Sequence, residues 1–187
     1  LLKPGDEVII PRLTFPMFEI ASKMSKGKVI LSEMTPSLDI DLKDIKSKIT
    51  KKTKLIFLCN PNNPTGRVMP KKAVLDFIKA TKADVVVDEA NIEFGGKTVI
   101  KEAKNFTNLI ALRTFSKGFG LAGFRIGFCV ASKDIVQLLQ QTSQPFPVST
   151  VAEKVVLIAF ADTKFIDKTR KFMRRERDFL SRELTKR

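Results

Sequence analysis

No histidine occurs among the 187 residues, and no tyrosine. The first absence removes imidazole from its usual roles, both as a general acid–base group and as a metal ligand. The second leaves no phenol in the chain to bond a ligand's oxygen or donate a proton. Cysteine is sparse: Cys59 and Cys129 stand far apart in the apolar runs LIFLCN and IGFCVA. Two isolated thiols make neither a disulfide framework nor a metal site. They read as buried, reduced groups of a cytosolic protein. No apolar run approaches the roughly 20 residues needed to cross a bilayer, and the opening LLKPGDEVII lacks a signal-peptide layout. A cytoplasmic protein with no membrane partner is expected. Leu1 in first place, and a last stretch SRELTKR that stops in helical character, predict that both ends were cut from a longer chain.

What is present suits one globular domain. The length falls within roughly 100–200 residues per domain, and 43% hydrophobic with 29% charged residues is ordinary for a folded chain. The net charge is +14. Such a balance fits nucleic acid or an anionic ligand, but the lysines are scattered and no base-stacking aromatic array accompanies them. No nucleic-acid partner is expected. Through the densest basic stretch, KTRKFMRRERDFLSRELTKR, and the residues just before it, Phe165, Phe172 and Phe179, and likewise Ile166, Met173 and Leu180, recur seven residues apart. That pattern predicts an amphipathic helix with a charged, solvated face.

Short apolar runs alternate with helical patterns. EVII (7–10), KVILSE (28–33), KLIFLCN (54–60), ADVVVDE (83–89), NLIALR (108–113) and RIGFCVA (125–131) read as strands. Between them, helices are predicted after Pro16, after Asp41 as a cap, and from Pro70 through Lys82. Ser132 is a candidate cap for a helix that QPFPVST interrupts, and two further helices follow. Strands that are apolar throughout and separated by helices imply a mixed, mainly parallel sheet covered on both faces, a three-layer α/β/α sandwich.

In open sheets of this kind, ligands bind beyond the carboxyl ends of the strands. Three consecutive strands deliver chemistry to that rim. Asn60, Asn62, Asn63, Thr65 and Gly66 follow KLIFLC; Asp88 and Glu89 end VVVDE; Arg113, Thr114, Ser116 and Lys117 follow NLIAL. An amide, a carboxylate, hydroxyls and an amine suit an anionic, nitrogen-containing aromatic ligand. Two other patterns are weak. Gly118, Gly120 and Gly123 fit G-x-G-x-x-G, but a strand pattern follows where a dinucleotide fold needs a helix. Gly96-Lys97-Thr98 lacks the earlier P-loop glycine, because that position is Asn91.

NPNNPTG (60–66), DEANIEF (88–94) and RTFSKGFGLAGFRIG (113–127) together resemble the class I/II aminotransferases of fold type I. The intervals are 25 residues from Asn63 to Asp88, 29 from Asp88 to Lys117 and 8 from Lys117 to Arg125. The subgroup most resembled is histidinol-phosphate aminotransferase, and the similarity covers nearly the whole chain. It implies pyridoxal 5'-phosphate as cofactor. It also implies a large cofactor-binding domain over 1–160, lacking its N-terminal part, and a helix over 161–187 leading toward a missing small domain.

The roles it implies have physical reasons. Lys117 would carry the cofactor as a Schiff base and, once displaced, act as a base. Asp88 would keep the pyridine nitrogen protonated, so the ring can accept electrons. Asn63 would donate to the phenolic oxygen. Arg125 would hold the phosphate, helped by Ser116 and Thr114. Phe15 would stack on the ring. Glu89 and Arg113 are expected to be structural partners instead. Asn91 replaces the family's tyrosine and could reach the phenolic oxygen only through water. The implied activity is amino-group transfer between an amino acid or amino-alcohol phosphate and a 2-oxo acid, by a homodimer when full length. The alternatives are a decarboxylase of the same fold, of the threonine-phosphate type, and a non-catalytic fragment.

Overall fold

A computed structural model describes residues 1–186. Six strands form one sheet: β1 (Glu7–Pro11), β2 (Lys28–Ser32), β3 (Thr53–Cys59), β4 (Asp84–Asp88), β5 (Leu109–Thr114) and β6 (Gly127–Val130). Their order is β2-β1-β3-β4-β5-β6. The pairs from β2 through β5 are parallel, and β6 runs antiparallel to β5. The helices are α1 (Met17–Met24), α2 (Leu42–Ser47), α3 (Lys71–Lys79), α4 (Lys133–Gln141), α5 (Thr150–Ala161) and α6 (Thr163–Thr185).

Alternation along each strand sends side chains to opposite faces. Ile9, Ile56, Leu58, Val85 and Val87 meet Ile45 of α2 and Val74 and Phe77 of α3. Val8, Ile10, Leu55, Val86 and Ile110 meet Phe18 of α1 and Ile135 of α4. Each side chain fully removed from water contributes roughly 1.5–3 kcal/mol, so these strands are apolar throughout because both faces are covered. Helix placement follows from the order. The chain steps from β1 to β2 in one direction, then crosses back over β1 to β3 and onward to β4. Parallel crossovers are right-handed, so reversing direction moves the crossover helix to the other face. That puts α1 on one side and α2 and α3 on the other.

The predicted strands lie within two residues of where their patterns place them, while one helix end and one cap differ. Asp41 caps α2 by accepting from the Lys43 and Asp44 amides at 2.8 and 3.1 Å. Helix α3 stops at Lys79, short of Lys82. The amide of Asn108, just before β5, collects the carbonyls of Ile78, Thr81 and Ala83 at 2.9–3.2 Å and ends the helix there. Ser132 precedes α4 without capping it; its hydroxyl donates to Thr107 O at 3.4 Å. Helices α5 and α6 pack loosely. Val156 and Ile166 are buried, whereas Leu157, Ile158, Phe172 and Leu180 are exposed. Among the described residues no helix is long and apolar enough to cross a membrane.

Candidate active site

The strand order reverses at β1, with β2 on one side and β3 on the other. Loops leaving such strands diverge and open a crevice at the carboxyl edge. One buried side chain bridges it. Asn62 Oδ1 accepts from Thr14 Oγ1 at 2.9 Å, and its Nδ2 donates to Leu13 O at 2.8 Å and Thr65 Oγ1 at 3.0 Å. The loop after β1, which carries Phe15, is thereby tied to the loop after β3, which carries Asn63. Phe15 is 38% exposed and rests edge-on against Phe18, itself stacked on Phe57. Asn63 is exposed. Asn60 is no ligand group: its side chain is closed on the main chain of Met69. The Asn60–Pro61 and Asn63–Pro64 peptide bonds are cis.

Asp88 ends β4 and is only 8% exposed. It lies in register between Cys59 of β3 and Leu112 of β5. Its Oδ1 accepts the Ala90 amide at 2.8 Å. Burial pushes its pKa up, the Ala90 bond opposes that, and the charge of Glu89 adds to it. Such a carboxyl gains from a nearby cation or a polarised N–H, which a pyridinium nitrogen offers. Burial also drives the Cys59 thiol up to about 12, with the Asp88 charge contributing, so the thiol stays protonated. Asn91 is half-buried at the start of a short 3₁₀ turn, Ile92–Phe94, and its side chain caps nothing.

The next strand carries the amine. Beyond β5, Ser116 N donates to Thr114 Oγ1 at 3.1 Å, Gly120 N to Lys117 O at 2.9 Å and Leu121 N to Phe115 O at 2.9 Å. These bonds coil the loop so that Lys117 is exposed at its turn. Gly120 has φ +70°, a left-handed conformation that glycine adopts without strain. Phe115 is buried among Phe119, Phe128 and Phe160 of α5. The chain returns through Arg125, also left-handed at φ 53°, whose Nη1 is turned onto Ala122 O at 2.9 Å. Because Phe115 N donates to Ile126 O at 3.2 Å, Arg125 comes back beside Ser116. Gly127 then pairs with Thr114.

Asp88, Asn63, Phe15, Asn91, Thr114, Ser116, Lys117 and Arg125 thus share one edge of the sheet. Thr114 is partly engaged as a turn cap, and Arg125 is closed on its own loop. Glu89 and Arg113 pair with each other at 3.4 Å, as structural partners. Two things were not legible beforehand. Asn62 is the bridge, although nothing separates it by type from Asn63. Glu93, an acid in the apolar run IEF, is buried against Gly118. The donor set fits a phosphorylated pyridine aldehyde: an amine for the carbonyl, a buried carboxyl for the ring nitrogen, and a guanidinium with hydroxyls for the phosphate.

A model of the family described as aminotransferase class I and II matches residues 1–187. A histidinol-phosphate aminotransferase 1 from Archaeoglobus fulgidus is 38% identical over 186 residues, covering 100% of this chain and 57% of that protein. The crystal structure of the histidinol-phosphate aminotransferase from Clostridium acetobutylicum superposes with a TM-score of 0.90 at 28% identity, covering 97% of this chain and 56% of the other. An L-threonine-O-3-phosphate decarboxylase structure from Porphyromonas gingivalis gives 0.79 at 29% identity, covering 95% of this chain and 54% of the other. The chain spans about half the length of the curated relatives it matches.

Proposed function

The chain belongs to the class I and II aminotransferase family, and on that premise we propose that its protein transfers an amino group to a 2-oxo acid, using pyridoxal 5'-phosphate. The proposed donor is an amino acid or amino-alcohol phosphate of the histidinol-phosphate kind, and the proposed assembly is a homodimer. Residues 1–160 would serve as the cofactor domain and 161–187 as the helix leading out of it. One observation carries the reading. Asp88 and Lys117 stand at the carboxyl ends of hydrogen-bonded neighbours, β4 and β5, one buried and one exposed.

When bound, the cofactor supplies an electron sink for the bond broken at the substrate's Cα. The chain's own groups do the rest. Lys117 would hold the aldehyde through Nζ and, once substrate has displaced it, its free amine would be the base that takes the proton from the substrate's Cα. Asp88 would stabilise the proton on the ring nitrogen, and its buried placement would strengthen that interaction, since little water screens it. Phe15 would cover a ring face, and Asn63 would donate toward the phenolic oxygen. Arg125 would offset the phosphate charge, with Ser116 and Thr114 adding hydroxyl donors. For Arg125 this requires its guanidinium to leave Ala122 O.

Borohydride reduction tests the reading. With pyridoxal phosphate present, the reduced cofactor should map to Lys117, and Lys117→Ala should abolish the trapping completely. Reduced cofactor on a different lysine would sink the assignment of the whole rim. A second reading, decarboxylation on the same frame, is favoured by the likeness to the Porphyromonas gingivalis enzyme. Release of carbon dioxide from an amino-acid phosphate, without consumption of a 2-oxo acid, would select it.

A further inference from the structure

Beside the Lys117 loop lies a buried cluster of charge that the proposed chemistry does not use. Glu93 is 4% exposed and Glu89 1%. Between them lies one guanidinium: Arg113 Nη2 donates to Glu93 Oε1 and Nη1 to Glu89 Oε2, the latter at 3.4 Å. Glu89 is well satisfied, accepting from Thr98 Oγ1 at 2.5 Å and Val99 N at 2.6 Å. Glu93 is not. Its Oε2 is buried and, among the described residues, has no hydrogen-bond partner. Its main-chain carbonyl accepts from Arg170 Nε of α6 at 3.3 Å.

Its stem touches Gly118, the residue after Lys117. A Cβ on Gly118 would lie 2.6 Å from both Cβ and Cγ of Glu93, closer than real Cβ atoms come. Replacing a whole buried ion pair by apolar side chains of similar volume is often neutral or stabilising, although removing one partner alone is costly. Stability alone therefore gives little reason for an acid here with an unpaired oxygen. A charge-assisted bond to Arg113 does what packing does not: it fixes the side-chain direction. Arg113 also belongs to β5, the strand that runs into the Lys117 loop.

We infer that Glu93 is a positioning residue for Lys117: its stem is the floor on which Gly118 rests, and Arg113 locks that floor in place. The inference rests on Lys117 being the cofactor-bearing lysine. A displacement of the amine by about 1 Å can cost on the order of 100-fold in rate.

The test measures the rate of borohydride-trappable cofactor attachment to Lys117 across pH, beside the melting temperature of the cofactor-free protein. Glu93→Gln keeps the shape and can still accept from Arg113, so it should trap near the wild-type rate. Glu93→Ala should slow trapping on the order of 100-fold. Glu93→Met fills the same space and leaves Arg113 its pairing with Glu89, so below its own melting temperature it should still trap more slowly. This variant keeps the test decisive if Glu93→Ala does not fold. Trapping of Glu93→Met at the wild-type rate and pH profile would overturn the inference. Wild-type protein that is not trapped on Lys117 would overturn the cofactor reading instead, and the inference with it.

Discussion

On the β3–β4 side of the crevice, Asn62 and Asp88 are buried and tied down, although Asn63 is exposed. Asn62 makes three side-chain bonds, and Asp88 is held by Ala90 at the end of a central strand. On the β5–β6 side, Lys117 and Arg125 are exposed on a loop, and the loop's shape depends on neighbours outside the sheet. Phe160 of α5 packs on its Phe115, and Glu93, held by Arg170 of α6, lies under its Gly118. The difference separates two demands. A group acting through charge benefits from a fixed, dry position. A group that must form and release a covalent bond needs access and some freedom. The sheet supplies the first, and a loop braced from below supplies the second.

The largest expected effect strikes the buried wall. Asp88→Asn should leave trapping on Lys117 intact while lowering turnover on the order of 10²–10³-fold, the usual scale for losing a preorganised electrostatic group. The same change should stabilise the cofactor-free protein. Burial raises the Asp88 pKa, so the folded state holds that proton more tightly than the unfolded state does. Stability is therefore lost as pH rises from the ordinary aspartate range through the raised value. Thermal melts should show the variant more stable than wild type above that window, and unchanged below it. A variant less stable than wild type at neutral pH would mean Asp88 is a structural group, and the contrast between the walls would fail.

Asn62→Ala should rank next. It leaves Thr14 Oγ1 without its acceptor in a buried place and Leu13 O without its donor in a partly buried one, a loss of roughly 1–3 kcal/mol. Urea unfolding of the cofactor-free protein measures it. An unchanged midpoint would show that the two loops hold together without this bridge. The smallest effect is expected at Asn91, between the two walls. Asn91→Tyr should move the pH at which the bound cofactor's visible band changes downward, because a phenol donor favours the deprotonated form of that chromophore. An unmoved titration would place residue 91 out of reach of the phenolic oxygen.

Local rules made the frame readable. Val85, Val86 and Val87 suit only a strand covered on both faces, and Asp41 announces a helix by accepting the amides that open it. The rim was legible for a related reason: polar residues that directly follow apolar strands can go nowhere else. Contacts between distant segments were hidden. Nothing near Lys82 tells that α3 ends early, because the amide that collects its carbonyls belongs to Asn108. The bridge of Asn62 to Thr14 spans 48 positions. The lack of room at Gly118 is set by Glu93, 25 positions earlier. Sequence marks which groups reach the edge, while packing decides which become ligands and which become braces.

The antiparallel pairing of β5 with β6 has a consequence for synthesis on the ribosome. Parallel neighbours need long crossovers and wait for distant partners, and β1 gains its second neighbour only once β3 has emerged. Strands β5 and β6 face each other across their own connecting loop. That hairpin can therefore pair as soon as residue 130 is free, whereas the turn that presents Lys117 gains its support from Phe160 of α5 and Arg170 of α6 only later. The Lys117 amine thus reaches its place late, against strands whose edge and buried Asp88 already stand.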